Sequence, residues 1–234
     1  MRKLGLFGLT IPEAYGGLGA SLLIYALTVE EIARGWMSVS GIINTHFIVA
    51  HMIARHDTDE QKDYFLPRMA AGDVRGAFSM SEPGLGSDVA AIRTRAERDG
   101  QDFVLNGQKM WLTNGGTANL VAVLCHTDDG HEAPHRNMTT FLIEKEPGLG
   151  PNPKVPGLTV PGKIEKMGYK GVDTAELVLA DVRVPASRVL PVVRGSHRRR
   201  ARDHRIRCSP GSSSPMSANT SPPGCPSSLR VRIR

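Results

Sequence analysis

Residues 101–113 read Q-D-F-V-L-N-G-Q-K-M-W-L-T, and residues 81–88 shortly before them read S-E-P-G-L-G-S-D. The first stretch has strand-like runs on both sides of Asn106-Gly107, a dipeptide that favours two-residue hairpin turns. The second places two glycines, two serines and two acidic residues in eight positions, so it can offer backbone N–H groups and hydroxyls to a ligand. Together they predict a β domain that carries a ligand-binding loop.

Three further segments have the apolar pattern of β-strands, and they cover residues 118–125, 138–144 and 174–185. Residues 146–162 are interrupted too often by proline and glycine to form a regular element. We therefore predict a compact antiparallel β domain over residues 76–190.

The residues before this domain have helical spacing instead. Ser21 can cap a helix over Leu22–Ala33, where apolar residues recur at i, i+3 and i+4, and a second apolar helix is predicted over Ser40–Arg55. Residues 58–61, T-D-E-Q, form a capping-box pattern that starts a third helix. Residues 1–75 are thus predicted to form a helical domain.

The last 44 residues, 191–234, have a different composition from the rest of the chain. They hold ten of the 29 basic residues, all arginine, and one of the 23 acidic residues, so they carry +9 while residues 1–190 carry −3. Arginine, serine and proline dominate without a helical or strand period, which predicts a disordered segment. Two origins stay open, a reading-frame shift in a GC-rich gene and a genuine alternative terminus.

Bulk properties exclude several functional classes. The basic excess is confined to residues 191–234 and lacks interleaved aromatic residues, so it predicts at most a nonspecific contact with nucleic acid. No run approaches the roughly 18 apolar residues of a membrane span, and no signal peptide is indicated. His126, His131 and His135 flank an acidic loop, which is interpreted as a solvated loop rather than a metal site, so no metal site is predicted. Cys125, Cys208 and Cys225 lack disulfide or metal-ligand spacing, which favours a cytoplasmic setting.

The order of motifs along residues 4–190 resembles the FAD-dependent acyl-CoA dehydrogenase family. The matching motifs are L-G-L-F-G-L-T-I-P-E-A-Y-G-G-L-G (4–19), D-E-Q-K-D-Y-F-L-P-R-M-A-A-G-D (59–73), A-F-S-M-S-E-P-G-L-G-S-D-V-A (77–90), G-Q-K-M-W-L-T-N-G (107–115), K-M-G-Y-K-G-V-D-T (166–174) and D-V-R-V-P-A-S-R-V-L (181–190). The resemblance implies an α+β fold, with a partial N-terminal helical domain followed by an antiparallel β-barrel domain.

The resemblance also implies a set of FAD-binding residues, which are Phe78, Met80, Ser81, Gly86, Ser87, Trp111, Leu112 and Thr113. Ser81 would give a hydroxyl to the flavin ring where threonine is common, and Ser87 would lie near the diphosphate and the acyl-CoA substrate. Trp111 would pack beside the isoalloxazine, and Thr113 would hydrogen-bond near flavin N5. These residue types suit a flat ring that gains negative charge on reduction, because hydroxyl and N–H donors stabilise that charge.

The family reaction removes a proton from the α carbon of an acyl-CoA thioester while hydride leaves the β carbon for the flavin, and it implies a role in fatty-acid β-oxidation. An electron-transferring flavoprotein is the implied electron acceptor. Acyl chain length and branching stay open, as does the choice between a dehydrogenase and an oxidase-type relative.

The general base of the family is a glutamate in a C-terminal helical domain, which is expected to begin after Leu190. Residues 191–234 do not resemble that domain, and the last glutamate of the chain is Glu176. We therefore expect a truncated, inactive and poorly soluble chain with no catalytic residue, weak flavin binding and no ordinary homotetramer. A non-catalytic remnant that binds FAD or acyl-CoA, or pairs with an intact relative, is the alternative.

Overall fold

A computed structural model of the chain describes residues 1–127 and 137–190. The predicted disordered segment 191–234, together with His131 and His135 in the loop between two predicted strands, lies outside the described residues. Helices come first along the chain and a β-sheet follows, as the sequence predicts.

Two α-helices precede the sheet, α1 over Leu22–His56 and α2 over Asp59–Ala70. The backbone of α1 leaves the helical region at Trp36, where φ is −159° and ψ is 100°, so the two predicted helices are the two sides of this break. The predicted caps are confirmed, because Ser21 Oγ accepts from Ile24 N and Thr58 Oγ1 accepts from Gln61 N, both at 3.3 Å.

The two sides of α1 differ in burial. After the break, the helix packs its apolar residues against α2 and the sheet, and Ile43 and Ile53 are fully buried. Before the break, Leu22, Leu23 and Leu27 are exposed. By length and composition α1 could cross a membrane, and half of its most apolar window is buried; one such helix is weak evidence for a span.

Within the described residues, nine strands form one sheet. They are β1 Gly76–Ser79, β2 Arg95–Asp99, β3 Asp102–Thr113, β4 Leu120–Thr127, β5 Met138–Glu144, β6 Gly150–Pro151, β7 Leu158–Val160, β8 Thr174–Pro185 and β9 Val189–Leu190. The predicted strands at 138–144 and 174–185 are confirmed at both ends, and the predicted irregular region 146–162 contains only the short strands β6 and β7.

The sheet is mixed and open, so the predicted antiparallel barrel needs correction. Its order is β6-β7-β8-β3-β2-β4-β5-β9, with β1 pairing beside β4. Most pairs are antiparallel, but β4 pairs in parallel with both β1 and β2. In the described part of the chain the sheet does not close on itself, because the two ends of this order, β6 and β9, are strands of two residues that do not pair with each other.

The predicted hairpin at Asn106-Gly107 is wrong. The turn lies earlier, between β2 and β3, where Asp99 pairs with Asp102 across Gly100 and Gln101. Asn106 and Gly107 lie inside β3, where the pairing with β8 shifts register. Gly107 has a φ of +148°, so the dipeptide supports a β-bulge rather than a turn.

The core has a layer on each face of the sheet, and β4 shows both. Leu120 and Ala122 pack with the helices, whereas Val121, Val123 and Cys125 pack with β3, β5 and β8. A strand buried on both faces reads as a continuous apolar run, as residues 120–125 do. The adjacent strand β1 pairs with this buried strand from Gly76 to Ser79, so the loop that follows β1 starts beside the core.

Candidate functional site

The S-E-P-G-L-G-S-D loop leaves β1 and closes into a tight turn. Glu82 N donates to Leu85 O at 2.9 Å, and Leu85 N donates back to Glu82 O at 3.1 Å. Past this turn, Gly86 and Ser87 are exposed. A Cβ atom built on Gly86 would meet no atom within 4 Å, so the packing of the described chain does not require a glycine there.

Trp111, near the end of β3, combines strain with exposure. Its φ is +62°, and it lies where the β3–β8 pairing shifts register between Lys109 and Leu112. A bulky residue rarely adopts this backbone region, and doing so costs about 1–2 kcal/mol. The side chain is nevertheless 54% exposed, so burial offsets the cost only in part. β-Bulges often re-aim a side chain beside a site, which suits an aromatic surface offered to a ligand.

Hydrogen bonds join the loop to β3. Met110 N donates to Ser81 O at 2.9 Å, and Lys109 Nζ donates to Met80 O at 3.0 Å. Met80 and Ser81 therefore lie beside the strand segment that carries Trp111. The structure brings together these predicted FAD contacts, which are about 30 residues apart in sequence.

The remaining predicted contacts occupy different environments. Thr113 is half-buried in β3, and the hydroxyls of Ser81, Ser87 and Thr113 have no hydrogen-bond partner among the described residues. Phe78 packs into the core shared with the helices, and Leu112 is fully buried. Any ligand contact by Leu112 would therefore come from its backbone.

A buried ion pair lies behind this surface. Lys109, fully buried, places Nζ 3.0 Å from Oε1 of Glu82, whose side chain is 6% exposed. The Glu82 carboxylate also accepts from Arg93 N at 2.8 Å and from Thr94 N and Thr94 Oγ1 at 2.8 and 2.6 Å.

The pKa values of the pair follow from burial and these bonds. Burial pushes the pKa of Glu82 upward, but the hydrogen bonds from Thr94, Arg93 and Lys109 outweigh it and lower the pKa below its usual value. Burial lowers the pKa of Lys109, and the bond to Glu82 opposes that change. Glu82 is therefore an ionised acceptor, poorly suited to abstracting a proton.

The sequence interpretation missed the roles of Glu82 and Lys109. The alternation of side chains along a strand could have indicated the burial of Lys109, because Lys109 is four residues after Leu105 and therefore faces the same side of β3. The register shift between Lys109 and Leu112 then reverses this alternation, so that Leu112 also faces the core. Asn114 was missed as well; its Nδ2 donates to Ile42 O at 2.9 Å and ties the end of β3 to α1.

A cavity of about 490 Å³ opens beside the end of β3. Its wall includes Asn114 and Thr174 together with the basic residues Arg75, Lys163 and Lys166. The Oδ1 atom of Asn114 is buried there without a hydrogen-bond partner. Over residues 1–127 and 137–190, no three His, Cys, Asp or Glu side chains are grouped so that they could hold a metal ion.

Comparison with known families gives two matches that follow one another along the chain. Residues 1–73 match the model of the acyl-CoA dehydrogenase N-terminal domain, and residues 77–182 match that of the acyl-CoA dehydrogenase middle domain.

Individual proteins give the same result. The long-chain specific acyl-CoA dehydrogenase, mitochondrial, of Rattus norvegicus is 41% identical over 188 residues, which are 80% of this chain and 42% of that protein. A glutaryl-CoA dehydrogenase from Mycobacterium smegmatis, solved in complex with FADH2, has a TM-score of 0.72 at 36% identity, and the match covers 83% of this chain and 47% of that one.

A third similar structure is described as the electron transferring flavoprotein of Acidaminococcus fermentans. It has a TM-score of 0.72 at 33% identity, and the match covers 81% of this chain and 48% of that one. The chain thus spans less than half the length of each of these three proteins.

Proposed function

Because the chain belongs to the acyl-CoA dehydrogenase family, we propose that its loop 81–88 and the end of β3 form one side of a site for FAD and an acyl-CoA thioester. The reaction of the whole site would be α,β-dehydrogenation of the acyl group. The observation that carries the proposal is Trp111, which is strained, 54% exposed and one residue from the Met110 N–H that binds Ser81 O.

The residues present fit a flavin. Trp111 offers a broad aromatic face, and Ser81 and Thr113 offer hydroxyls that the described chain leaves without partners. The open space at Gly86 allows a ligand to approach the backbone closely. FAD, when bound, would accept the hydride that leaves the β carbon of the substrate.

The chain's own residues would then orient and shield the reacting groups. Hydroxyls and backbone N–H groups of the loop would hold the polar edge of the ring and would stabilise negative charge that develops there. Trp111 would cover part of the ring and exclude water from it.

We further propose that the described residues do not supply the general base. Glu82 is the carboxylate nearest in sequence to Ser81, and it is buried, ionised and held by Lys109 and Thr94. A base must reach the substrate α carbon, and the buried, hydrogen-bonded carboxylate of Glu82 cannot do so. The proposal is therefore a flavin-binding chain without turnover, as the family resemblance of the sequence predicts.

We propose the substrate only as a chemical class, together with an electron acceptor and a location. The similar proteins include long-chain and glutaryl-CoA enzymes, so an acyl-CoA thioester of unspecified chain is proposed. An electron-transferring flavoprotein is proposed as the acceptor, supported by the similarity to a structure described by that name. A cytoplasmic location stays a prediction.

Tryptophan fluorescence tests the flavin site, since the chain has two tryptophans, Trp36 and Trp111. In the W36F variant, Trp111 is the fluorophore, and added FAD should quench its emission. The matched W111F variant leaves Trp36, in the break of α1, and should bind FAD more weakly with less quenching. Equal quenching in the two variants, or none in either, would contradict the proposed site.

A second experiment tests turnover. The FAD-loaded chain is mixed anaerobically with straight-chain and branched acyl-CoA thioesters while the visible flavin band is recorded. The band should persist with every substrate. Its loss would mean that a base lies within these 234 residues, and the proposal of binding without turnover would be wrong.

A further inference from the structure

The Lys109–Glu82 pair connects the two halves of the proposed flavin site from beneath. Lys109 Nζ binds Met80 O, before the exposed loop, and Glu82 Oε1, within it, both at 3.0 Å. The backbone of Lys109 is two residues from Trp111, and Met110 between them binds Ser81. One side chain therefore sets the distance between the loop and the aromatic residue.

The pair is costly for a purely structural role. The free energy lost by removing two charges from water is compensated only when their remaining donors and acceptors are hydrogen-bonded. A well-packed apolar pair often stabilises a core at least as much as a buried ion pair does. Here Glu82 is satisfied by Arg93 and Thr94, and the neighbouring thiol of Cys125 stays neutral because burial raises its pKa to about 12. The arrangement favours one fixed loop position over greater stability.

We propose that Lys109 and Glu82 are positioning residues of the flavin site, which hold the Met80–Ser81 backbone against the Trp111 bulge. The inference rests on the proposed function, because it concerns the same site. Neither residue touches the ligand, and both act through the loop that they anchor.

The double variant K109M/E82Q separates positioning from folding. The single K109M variant leaves a buried carboxylate without its cation, so its folding defect would hide any other effect. In the double variant the charge is gone, the new amide oxygen at position 82 can still accept from Thr94, and the new thioether side chain at position 109 keeps a similar length. The Arg93 N–H loses its acceptor, Oε2 of Glu82, and the β4 amides report any wider effect of that loss. K145M is the matched control, because Lys145 is 2% exposed and donates to the carbonyl of Glu146, away from the loop.

Two readouts are measured on the full chain. With FAD, K109M/E82Q should bind roughly tenfold to hundredfold more weakly, as expected for loss of a charge-assisted hydrogen bond, and its bound flavin should have a shifted visible spectrum. K145M should keep the wild-type affinity and spectrum. Without FAD, exchange of the Met110 amide, whose N–H binds Ser81 O, should accelerate in K109M/E82Q while amides in β4 keep their protection.

The outcomes distinguish this inference from the proposed function. Equal Met110 protection in the wild type and K109M/E82Q overturns the inference, and so do unchanged flavin affinity and spectrum in the double variant. If the wild type binds no FAD, the proposed function fails, and faster Met110 exchange still supports the anchoring role of Lys109. The same acceleration of Met110 exchange in K145M would overturn the inference, because the effect would then be a general destabilisation of the fold.

Discussion

Gly107 in β3 lies so close to Thr94 that a Cβ atom built on the glycine would be 2.7 Å from the Cα atom of Thr94. Thr94 in turn binds the carboxylate of Glu82 through its N–H and its hydroxyl. The glycine therefore allows β3 to approach the segment that holds the loop of the proposed flavin site.

Substituting this glycine should be severely destabilising. In G107A, the new methyl group overlaps the Cα, Cβ and Oγ1 atoms of Thr94, and the φ of +148° is unfavourable for alanine. We expect a loss of about 2–4 kcal/mol in the free energy of unfolding, measured by urea denaturation. The control is G100A, where φ is also positive, at +64°, but no atom lies within 4 Å of the built Cβ. It should lose only about 1 kcal/mol, and equal losses would argue against the steric account.

Gly86 should matter for binding rather than for stability. Its built Cβ meets no atom within 4 Å, so G86A should keep its stability or gain up to about 1 kcal/mol. If the flavin approaches this backbone, FAD affinity should fall roughly tenfold in a titration, the effect of about 1.4 kcal/mol. G162A, at another open glycine outside the loop, should leave affinity unchanged. Wild-type affinity in G86A would place the flavin elsewhere.

The contribution of His46 to the stability of the fold should fall in mild acid. Burial lowers its pKa to about 4, and its ring nitrogens lie 3.1 Å from Phe7 O and 3.3 Å from Gly76 N. The unfolded chain takes up this proton near pH 6.5, so the stability contribution is complete above that pH and is lost as pH falls toward 4. The loss is on the order of 3 kcal/mol. H46Q should remove this dependence and leave the opposite one of Asp57 in denaturant titrations, whereas H51Q, at an exposed position of the same helix, should follow the wild type.

Asp57 should have the opposite pH dependence. Burial raises its pKa to about 6, and its buried Oδ2 atom lacks a hydrogen-bond partner. Its contribution to the free energy of unfolding is fully present below about pH 4, where the carboxyl is protonated in both the folded and the unfolded chain. The contribution is lost as pH rises through 6. D57N should therefore raise the free energy of unfolding by about 1–3 kcal/mol at pH 7.5 and change it little at pH 4. A destabilised D57N at pH 7.5 would contradict this assignment.

The two groups titrate over overlapping ranges with opposite signs. The wild-type stability should therefore vary little between pH 4 and 6.5, because the effects of His46 and Asp57 partly cancel. The D57N variant removes one effect and should reveal the full acid sensitivity due to His46.

Local patterns predicted several elements correctly because their causes are local. The Ser21 and Thr58 caps depend on residues within three positions, and both hydrogen bonds are present. The strands at 138–144 and 174–185 begin and end as predicted, since their apolar residues contrast with polar, glycine and proline neighbours. The family motifs likewise depend on residue order alone, and both domain matches agree with them.

Asn106-Gly107 shows where local reasoning stops. The same dipeptide suits a two-residue turn and a β-bulge, because both need a backbone that glycine tolerates. The choice was made by the long pairing of β3 with β8 on one side and the close approach of Thr94 on the other. Neither partner is near the dipeptide in sequence.

The sequence by itself determined the order of helices and strands, the caps and the family, because these depend on residue type and spacing along the chain. Only the tertiary structure decided that the sheet is mixed and open, that Trp111 lies exposed at a bulge and that Lys109 is buried against Glu82. Each of these depends on contacts between residues far apart in sequence. The free energy of such contacts comes from shared burial and hydrogen bonding, which local spacing does not specify.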